Sequence, residues 1–131
     1  MKKIFLFIAV LILAVGCSSK KSEEQTDFST AENIGEGSLS FFLEVDSGDD
    51  EAFFNVKTDD TTVGTALLNL GIISGEESSY GLYITTVNGK TADYDKDKTY
   101  WSFYVDGEYA QTGADSTEIK DGSTYSFKLE K

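Results

Sequence analysis

The chain has 131 residues, of which 40% are hydrophobic and 13% aromatic, and this size favours one compact domain with a tail. The lack of histidine and the single cysteine, Cys17, exclude Ser-His and Cys-His nucleophile pairs, imidazole metal ligands and an intrachain disulfide. The formal net charge of -12 favours solubility and repels phosphate groups, so we expect no nucleic-acid partner.

The first predicted element is a signal peptide with a lipid attachment site. Two lysines precede an apolar run over residues 4–15, which is shorter than the about 20 residues that span a bilayer. The ending Leu13-Ala14-Val15-Gly16-Cys17 resembles a bacterial lipobox, whose cysteine receives a diacylglycerol and becomes the first residue. We therefore expect a signal peptide over 1–16 and an extracytoplasmic protein anchored to a bacterial membrane by lipid at Cys17. An ordinary secreted protein with an idle thiol is the alternative.

A flexible linker is expected after the signal peptide. Serine, threonine, glutamate and glycine dominate residues 17–37, and apolar residues are isolated there. From Ser38 onward, apolar residues recur with a regular period. The folded domain is therefore predicted over 38–131.

The domain begins with a predicted hairpin followed by a helix. The segments SLSFFLEVD and EAFFNVKT alternate between apolar and polar residues on either side of an SGDDE turn. Val63, Ala66, Leu67 and Leu70 then form one helical stripe. Thr61 or Thr62 can cap the start of this helix, and a glycine follows its end.

The second half of the domain reads as strands joined by tight turns. SGEESS is interpreted as a loop, and YGLYITTVNG, TYWSFYV and TYSFKLEK as strands. Asn88-Gly89 and Asp106-Gly107 are typical of two-residue hairpin turns. The order β-β-α-β-β-β-β predicts an α+β fold, with a mixed or antiparallel sheet and one helix packed on one face.

Strand alternation sorts the side chains of this predicted sheet onto two faces. The helix can cover only one face, and the following residues are assigned to it: Leu39, Phe41, Leu43, Phe54, Val56, Leu82, Ile84, Trp101, Phe103, Val105, Tyr125, Phe127 and Leu129. The opposite face carries aromatic rings rather than only polar groups: Phe42, Phe53, Tyr83, Tyr100 and Tyr104. An open aromatic face is typical of binding surfaces, although aromatic pairs also stabilise a sheet without binding anything.

The candidate ligand-binding residues follow from this open face. Tyr83, Tyr100 and Tyr104 are predicted to stack on a ligand, and Trp101, Tyr80 and Tyr109 are weaker candidates at strand ends and loops. Asp93, Asp95 and Asp97 have the spacing of a calcium loop, but Lys98 and Tyr104 occupy the positions that require glycine and glutamate. No metal site and no catalytic motif is therefore predicted, and the chain is expected not to be an enzyme.

The residues from Val63 onward resemble a known family. Trp101, Tyr104-Val105-Asp106-Gly107, Gly113 and Asp121-Gly122 occur in the register of the DUF4430 domain, which is similar to the C-terminal β domain of transcobalamin and intrinsic factor. The resemblance covers about residues 38–131 and implies a β-grasp-like fold. It also implies non-enzymatic binding of cobalamin or another corrinoid. The chain departs from transcobalamin in lacking the large helical domain and any histidine that could coordinate cobalt.

Two functions remain open at this point. The first is a lipoprotein that captures a small molecule, with cobalamin as the example, and passes it to a membrane transporter. The second is a cell-surface module that binds a protein, a peptide or a glycan through the same aromatic face or through a free strand edge. Neither function requires a cofactor.

Overall fold

A computed structural model describes residues 31–131 of the chain. Its larger sheet has six strands in the order β1-β3-β2-β9-β7-β8. Beginning at one edge, these strands are β1 (Glu32–Gly35), β3 (Glu51–Thr58), β2 (Leu39–Asp46), β9 (Thr124–Glu130), β7 (Tyr100–Val105) and β8 (Glu108–Tyr109). The last strand of the chain therefore lies at the centre of this sheet.

The larger sheet is mixed because its central strand has one neighbour of each direction. β2 and β3 form the predicted antiparallel hairpin, and β1 runs parallel to β3. β9 runs parallel to β2 and antiparallel to β7. The register places Phe41, Leu43 and Val45 of β2 on the same face as Tyr125 and Phe127 of β9, and all five are buried.

A second sheet of three strands was not expected from the sequence. It consists of β4 (Ile73–Ser78), β5 (Gly81–Val87) and β6 (Lys90–Thr91), all antiparallel. The prediction of a loop over SGEESS was wrong, because these residues form most of β4. Only Ile73 of β4 is buried, so the strand shows no apolar alternation and is held chiefly by main-chain pairing. The prediction that β5 belongs to the same sheet as the other strands was also wrong, because β5 pairs with β4 and β6 in the second sheet.

Two helices complete the described fold. Helix α1 (Val63–Asn69) is capped by Thr62, one of the two predicted caps, whose side chain accepts a hydrogen bond from the Thr65 amide. Helix α2 (Tyr94–Asp97) is a single turn, and residues Ala114–Ser116 form a 3₁₀ turn. The fold is α+β, with strands in the majority.

The core lies between the larger sheet on one side and α1 with the second sheet on the other. Val63, Ala66 and Leu67 of α1 are fully buried, and Leu82 and Ile84 of β5 pack against the same cluster. The predicted inward face is confirmed for β2, β3, β7 and β9. The second sheet covers part of the face for which the sequence offered only one helix.

The beginning of the chain bears on two further predictions. The segment that was expected to be a linker up to residue 37 contains the strand β1. The predicted signal peptide over 1–16 and the lipid site at Cys17 lie outside the described residues. Within residues 31–131, no helix is long and apolar enough to cross a membrane.

The contact between α1 and the 3₁₀ turn leads to a prediction about stability. A Cβ atom added at Gly64 would lie 2.7 Å from the main chain of Asp115, so Gly64→Ala must separate the helix from the turn. We expect a loss of about 1–3 kcal/mol in the free energy of unfolding, measured by urea denaturation. Leu68→Ala on the exposed side of the same helix is the control and should cost less. Equal stability of Gly64→Ala and the native chain would contradict this packing.

Candidate functional site

Three of the predicted ligand-binding residues, Tyr83, Trp101 and Tyr109, line a cleft between the two sheets. β8 pairs with β7 only at Tyr104 and Val105, and β6 pairs with β5 only at Thr86 and Val87. The remaining lengths of β5 and β7 line a cleft of about 350 Å³. Its lining residues are Leu82, Tyr83, Ile84, Trp101, Ser102, Phe103, Tyr109, Ala110, Gln111, Thr112, Gly113, Ala114 and Phe127.

The inner part of the cleft is apolar and well ordered by packing. Leu82 and Ile84 of β5 lie opposite Phe103 of β7, whose ring packs against Phe127 with ring centroids 5.0 Å apart. Trp101 is buried, and its indole Nε1 donates a hydrogen bond of 3.2 Å to the main-chain carbonyl of Lys90. The polar atom of this ring is thereby satisfied, and a small part of the ring surface borders the cleft.

The rim of the cleft carries two accessible tyrosines. Tyr83 is 49% exposed and Tyr109 is 65% exposed, so both rings offer apolar area to a ligand. The ring of Tyr109 packs edge-to-face on its cross-strand neighbour Tyr104, at 5.6 Å between centroids, so it lies on the outer-face side of β8, where this strand borders the cleft. The wall formed by residues 110–114 is attached to β5 by Asp115, whose carboxylate accepts a hydrogen bond of 3.1 Å from the Leu82 amide.

A polar network lies on the other face of the larger sheet. The Tyr104 hydroxyl donates a 2.7 Å hydrogen bond to the Glu130 carboxylate, and the Ser102 hydroxyl contacts the same carboxylate oxygen. The Lys128 ammonium lies 4.9 Å from the centroid of the Tyr104 ring, a cation–π geometry. This network holds Tyr104 in place, with one hydroxyl and one ring face already in use.

The network shifts two titrations in opposite directions. Hydrogen bonds from Ser102 and then Tyr104, with a smaller contribution from Lys128, lower the pKa of Glu130. The hydrogen bond to Glu130 raises the pKa of Tyr104. The Glu130 carboxylate therefore stabilises the fold above its unfolded-state pKa, and this contribution is lost as pH falls through the folded-state pKa. The Tyr104 contribution is present below its unfolded-state pKa and is lost as pH rises through the folded-state value.

The structure divides the six predicted ligand-binding residues among three places. Tyr100 and Tyr104 lie on the outer face of the larger sheet, as predicted. The placement of Tyr83 on that face was wrong, because β5 belongs to the second sheet. Tyr83, Trp101 and Tyr109 instead line the cleft together. Tyr80 lies at the turn between β4 and β5, is 99% exposed and does not line the cleft.

Sequence reasoning missed the apolar interior of the cleft and the wall over residues 110–114. Leu82, Ile84 and Phe103 carry the signature of core residues, so no local pattern distinguishes them as cleft lining. The shortness of β8, which leaves the edge of β7 open, is a tertiary property. The only sequence signal for it is the run of small and polar residues in AQTGADS, which has no strand alternation.

The aspartates with calcium-like spacing do not converge. Asp93 caps α2 by accepting from the Lys96 amide, and Asp97 accepts from the Thr99 hydroxyl and amide. The Thr99 hydroxyl lowers the pKa of Asp97. Among residues 31–131, no group of three histidine, cysteine, aspartate or glutamate side chains could hold a metal ion.

The Glu130 network leads to a second prediction. Ser102→Ala should raise the pKa of Glu130 towards its ordinary value, and Tyr104→Phe should raise it by a smaller amount, because each removes one donated hydrogen bond. The measurement is a pH titration followed by the ¹³C shift of the Glu130 carboxyl group. An unchanged Glu130 titration in both variants would contradict the network.

Comparison with known proteins supplies the family. The model of a domain of unknown function, DUF4430, matches residues 60–131, which is more than half of the chain. The crystal structure of a protein from Ruminococcus gnavus ATCC 29149, provisionally described as metal-binding, matches with a TM-score of 0.68 and 34% identity over 72% of this chain and 98% of that chain. Haptocorrin in complex with Cbi matches with a TM-score of 0.59 and 26% identity over 79% of this chain.

These matches differ in extent. This chain spans 28% of the haptocorrin chain but nearly all of the Ruminococcus protein. No curated protein sequence matches it significantly. The match to the family model and the 34% identity to a protein of the same extent lead to one conclusion: the chain belongs to the DUF4430 family.

Proposed function

We propose that the protein is a lipid-anchored, extracytoplasmic domain that binds a small molecule in the cleft between β5 and β7 without transforming it. The observation that carries this proposal is the cleft itself, whose apolar interior is flanked by the exposed rings of Tyr83 and Tyr109. The mixed sheet with α1 packed across it supports a β-grasp-like description of the fold.

The size and lining of the cleft suit a ligand that combines apolar surface with neutral polar groups. Its volume of about 350 Å³ lies within the range of about 300–1,000 Å³ that is usual for small-molecule sites. None of the described residues that line it is charged. Gln111 and Thr112 provide hydrogen-bonding side chains around the apolar interior, whereas the Ser102 hydroxyl is bound to Glu130 on the outer face. A ligand with an aromatic or macrocyclic body and neutral polar substituents fits this chemistry.

A corrinoid is the ligand class with the best support. The haptocorrin structure with Cbi shares this fold and is 26% identical. A corrinoid is larger than the cleft, so only one edge of the macrocycle would enter it, and Tyr83 and Tyr109 would stack at the rim. Because the chain corresponds to 28% of haptocorrin, we expect weaker binding than by a protein that encloses its ligand. A membrane transporter that receives the ligand completes the proposal.

A second candidate function is a surface module that binds an extended peptide. The edge of β7 over residues 100–102 lies beyond its pairing with β8 and is available for strand addition, whereas the edge of β5 is partly occupied because its Leu82 amide is bound to Asp115. In this case main-chain hydrogen bonds would dominate, and a corrinoid would not compete with the peptide.

Titration with corrinoids tests the first proposal. We expect cobalamin and cobinamide to bind the full-length chain in mild detergent, measured by calorimetry, with a change in the fluorescence of Trp101, the chain's only tryptophan. The double variant Tyr83→Ser/Tyr109→Ser should weaken binding about five- to 150-fold, because stacking of each ring contributes about 0.5–1.5 kcal/mol.

A matched control is available on the same surface. Tyr80→Ser removes the most exposed tyrosine, which does not line the cleft, and should leave the affinity unchanged. Equal effects of Tyr80→Ser and the double variant would argue against the cleft. Absence of heat and of a fluorescence change at high micromolar concentrations of both corrinoids would argue against this ligand class.

Lipid anchoring is tested separately. Metabolic labelling of bacterial cells with an alkyne-bearing fatty acid should label the native chain and leave Cys17→Ser unlabelled, because Cys17 is the only thiol in the sequence. Cys17→Ser should also move from the membrane fraction to the soluble fraction or persist as an uncleaved precursor. Labelling of Cys17→Ser to the native level would overturn the assignment.

A further inference from the structure

A second concave surface lies on the outer side of the smaller sheet. This groove of about 470 Å³ runs between the exposed face of β4 and β5 and the turn of α2. Its lining residues are Glu76, Tyr83, Thr85, Thr91, Ala92, Asp93, Tyr94 and Asp95. Tyr83 lines both this groove and the cleft, so the two cavities meet at this residue.

The groove is uniformly acidic. Three of its lining residues, Glu76, Asp93 and Asp95, are carboxylates, and no described lining residue is basic. Glu76 and Asp95 are exposed, and Asp93 is partly buried at the start of α2. The cleft on the other side of Tyr83 has no charged lining residue. The two cavities therefore differ in charge although they share a wall.

Two accessible aromatic rings accompany these carboxylates. Tyr83 and Tyr94 are 49% and 52% exposed. Tyr94 already accepts one ammonium group, since Nζ of Lys98 lies 5.2 Å from its ring centroid. Lys98 is not among the residues that line the groove. A cation within the groove would thus meet aromatic faces and carboxylates together, the combination that binds alkylammonium groups.

We propose that this groove binds an organic ammonium group. The charge complementarity requires a cation, and the rings favour an alkylated, weakly hydrated one over a small inorganic ion. Oδ1 of Asp93 is already occupied by the Lys96 amide, and within residues 31–131 no three carboxylates converge as a metal site. This site goes beyond the proposed function and does not depend on a corrinoid in the cleft, although the two cavities share Tyr83.

The direct test compares two molecules of the same shape. Choline and 3,3-dimethylbutan-1-ol differ in a quaternary nitrogen against a quaternary carbon. At constant ionic strength, choline should shift the backbone amide resonances of Tyr83, Thr85, Ala92 and Tyr94 in the ¹⁵N-labelled full-length chain, kept in a maltoside detergent. The neutral alcohol should shift them much less at equal concentration. Equal shifts from both molecules, or shifts from neither, would overturn the proposal.

Variants separate the local site from the overall negative charge. Tyr94→Leu should weaken choline binding about two- to fivefold, and Glu76→Gln/Asp95→Asn by about fivefold or more. The control Glu32→Gln/Glu36→Gln removes the same charge from exposed positions in or near β1, an edge strand of the larger sheet that does not line the groove, and should have little effect. An equal loss in the control would mean that choline responds only to net charge, and the site assignment would fail.

Corrinoid titration of the same variants keeps the two ideas distinguishable. If the groove is a separate site, Glu76→Gln/Asp95→Asn should bind cobinamide with native affinity while losing choline. Binding of cobinamide without any choline effect would overturn the ammonium site and leave the proposed function in place. Choline binding without corrinoid binding would overturn the corrinoid proposal and leave the ammonium site in place.

Discussion

The packing of Tyr125 in the central strand holds the rest of the structure together. Its ring is fully buried, meets Phe41 edge-to-face at 5.2 Å and stacks on Phe103 at 6.1 Å. Its hydroxyl accepts a hydrogen bond of 2.9 Å from the Lys120 amide. One side chain thus joins β2, β7 and the loop that precedes β9. β9 is the last described strand in chain order, and it pairs with β2 and β7, so the middle of the larger sheet is built from segments distant in the chain. The fold therefore depends on long-range contacts more than on local preference.

The cleft is a consequence of incomplete strand pairing around this core. β6 and β8 have two residues each, so they cover only the ends of β5 and β7. An exposed strand edge leaves main-chain groups without a partner strand and is usually covered or shortened in a soluble protein. Here the 3₁₀ turn and Asp115 close one end of the gap, and Trp101 bonded to Lys90 stabilises the other. What remains between them is a recess with an apolar interior, which is the property a ligand site requires.

The two faces of β7 have different roles. Its inner residues Trp101 and Phe103 belong to the core and the cleft, whereas Ser102 and Tyr104 bind the Glu130 carboxylate on the outer face. The outer aromatic face is therefore partly committed to internal contacts. Of the exposed rings, Tyr80, Tyr83 and Tyr94 lie around the second sheet, and Tyr109 lies on β8 of the larger sheet. The surfaces that offer accessible rings for binding are therefore the cleft and the acidic groove, which both include Tyr83, rather than the outer face of the larger sheet.

The sequence by itself determined the α+β class, the inward face of the long strands and the start of α1 after Thr61 or Thr62, of which the structure shows Thr62 to be the cap. It also determined the hairpin turns at Asn88-Gly89 and Asp106-Gly107, where all four residues have positive φ. These features follow from period, capping chemistry and turn preference, which act over a few residues. Only the tertiary structure decided that β4, β5 and β6 form a separate sheet and that Tyr83, Tyr109 and Trp101 border one cleft. β4 lacks apolar alternation, and a strand edge stays open only because its neighbour ends early. Both depend on which strands pair, and that choice is made by contacts between residues distant in the chain.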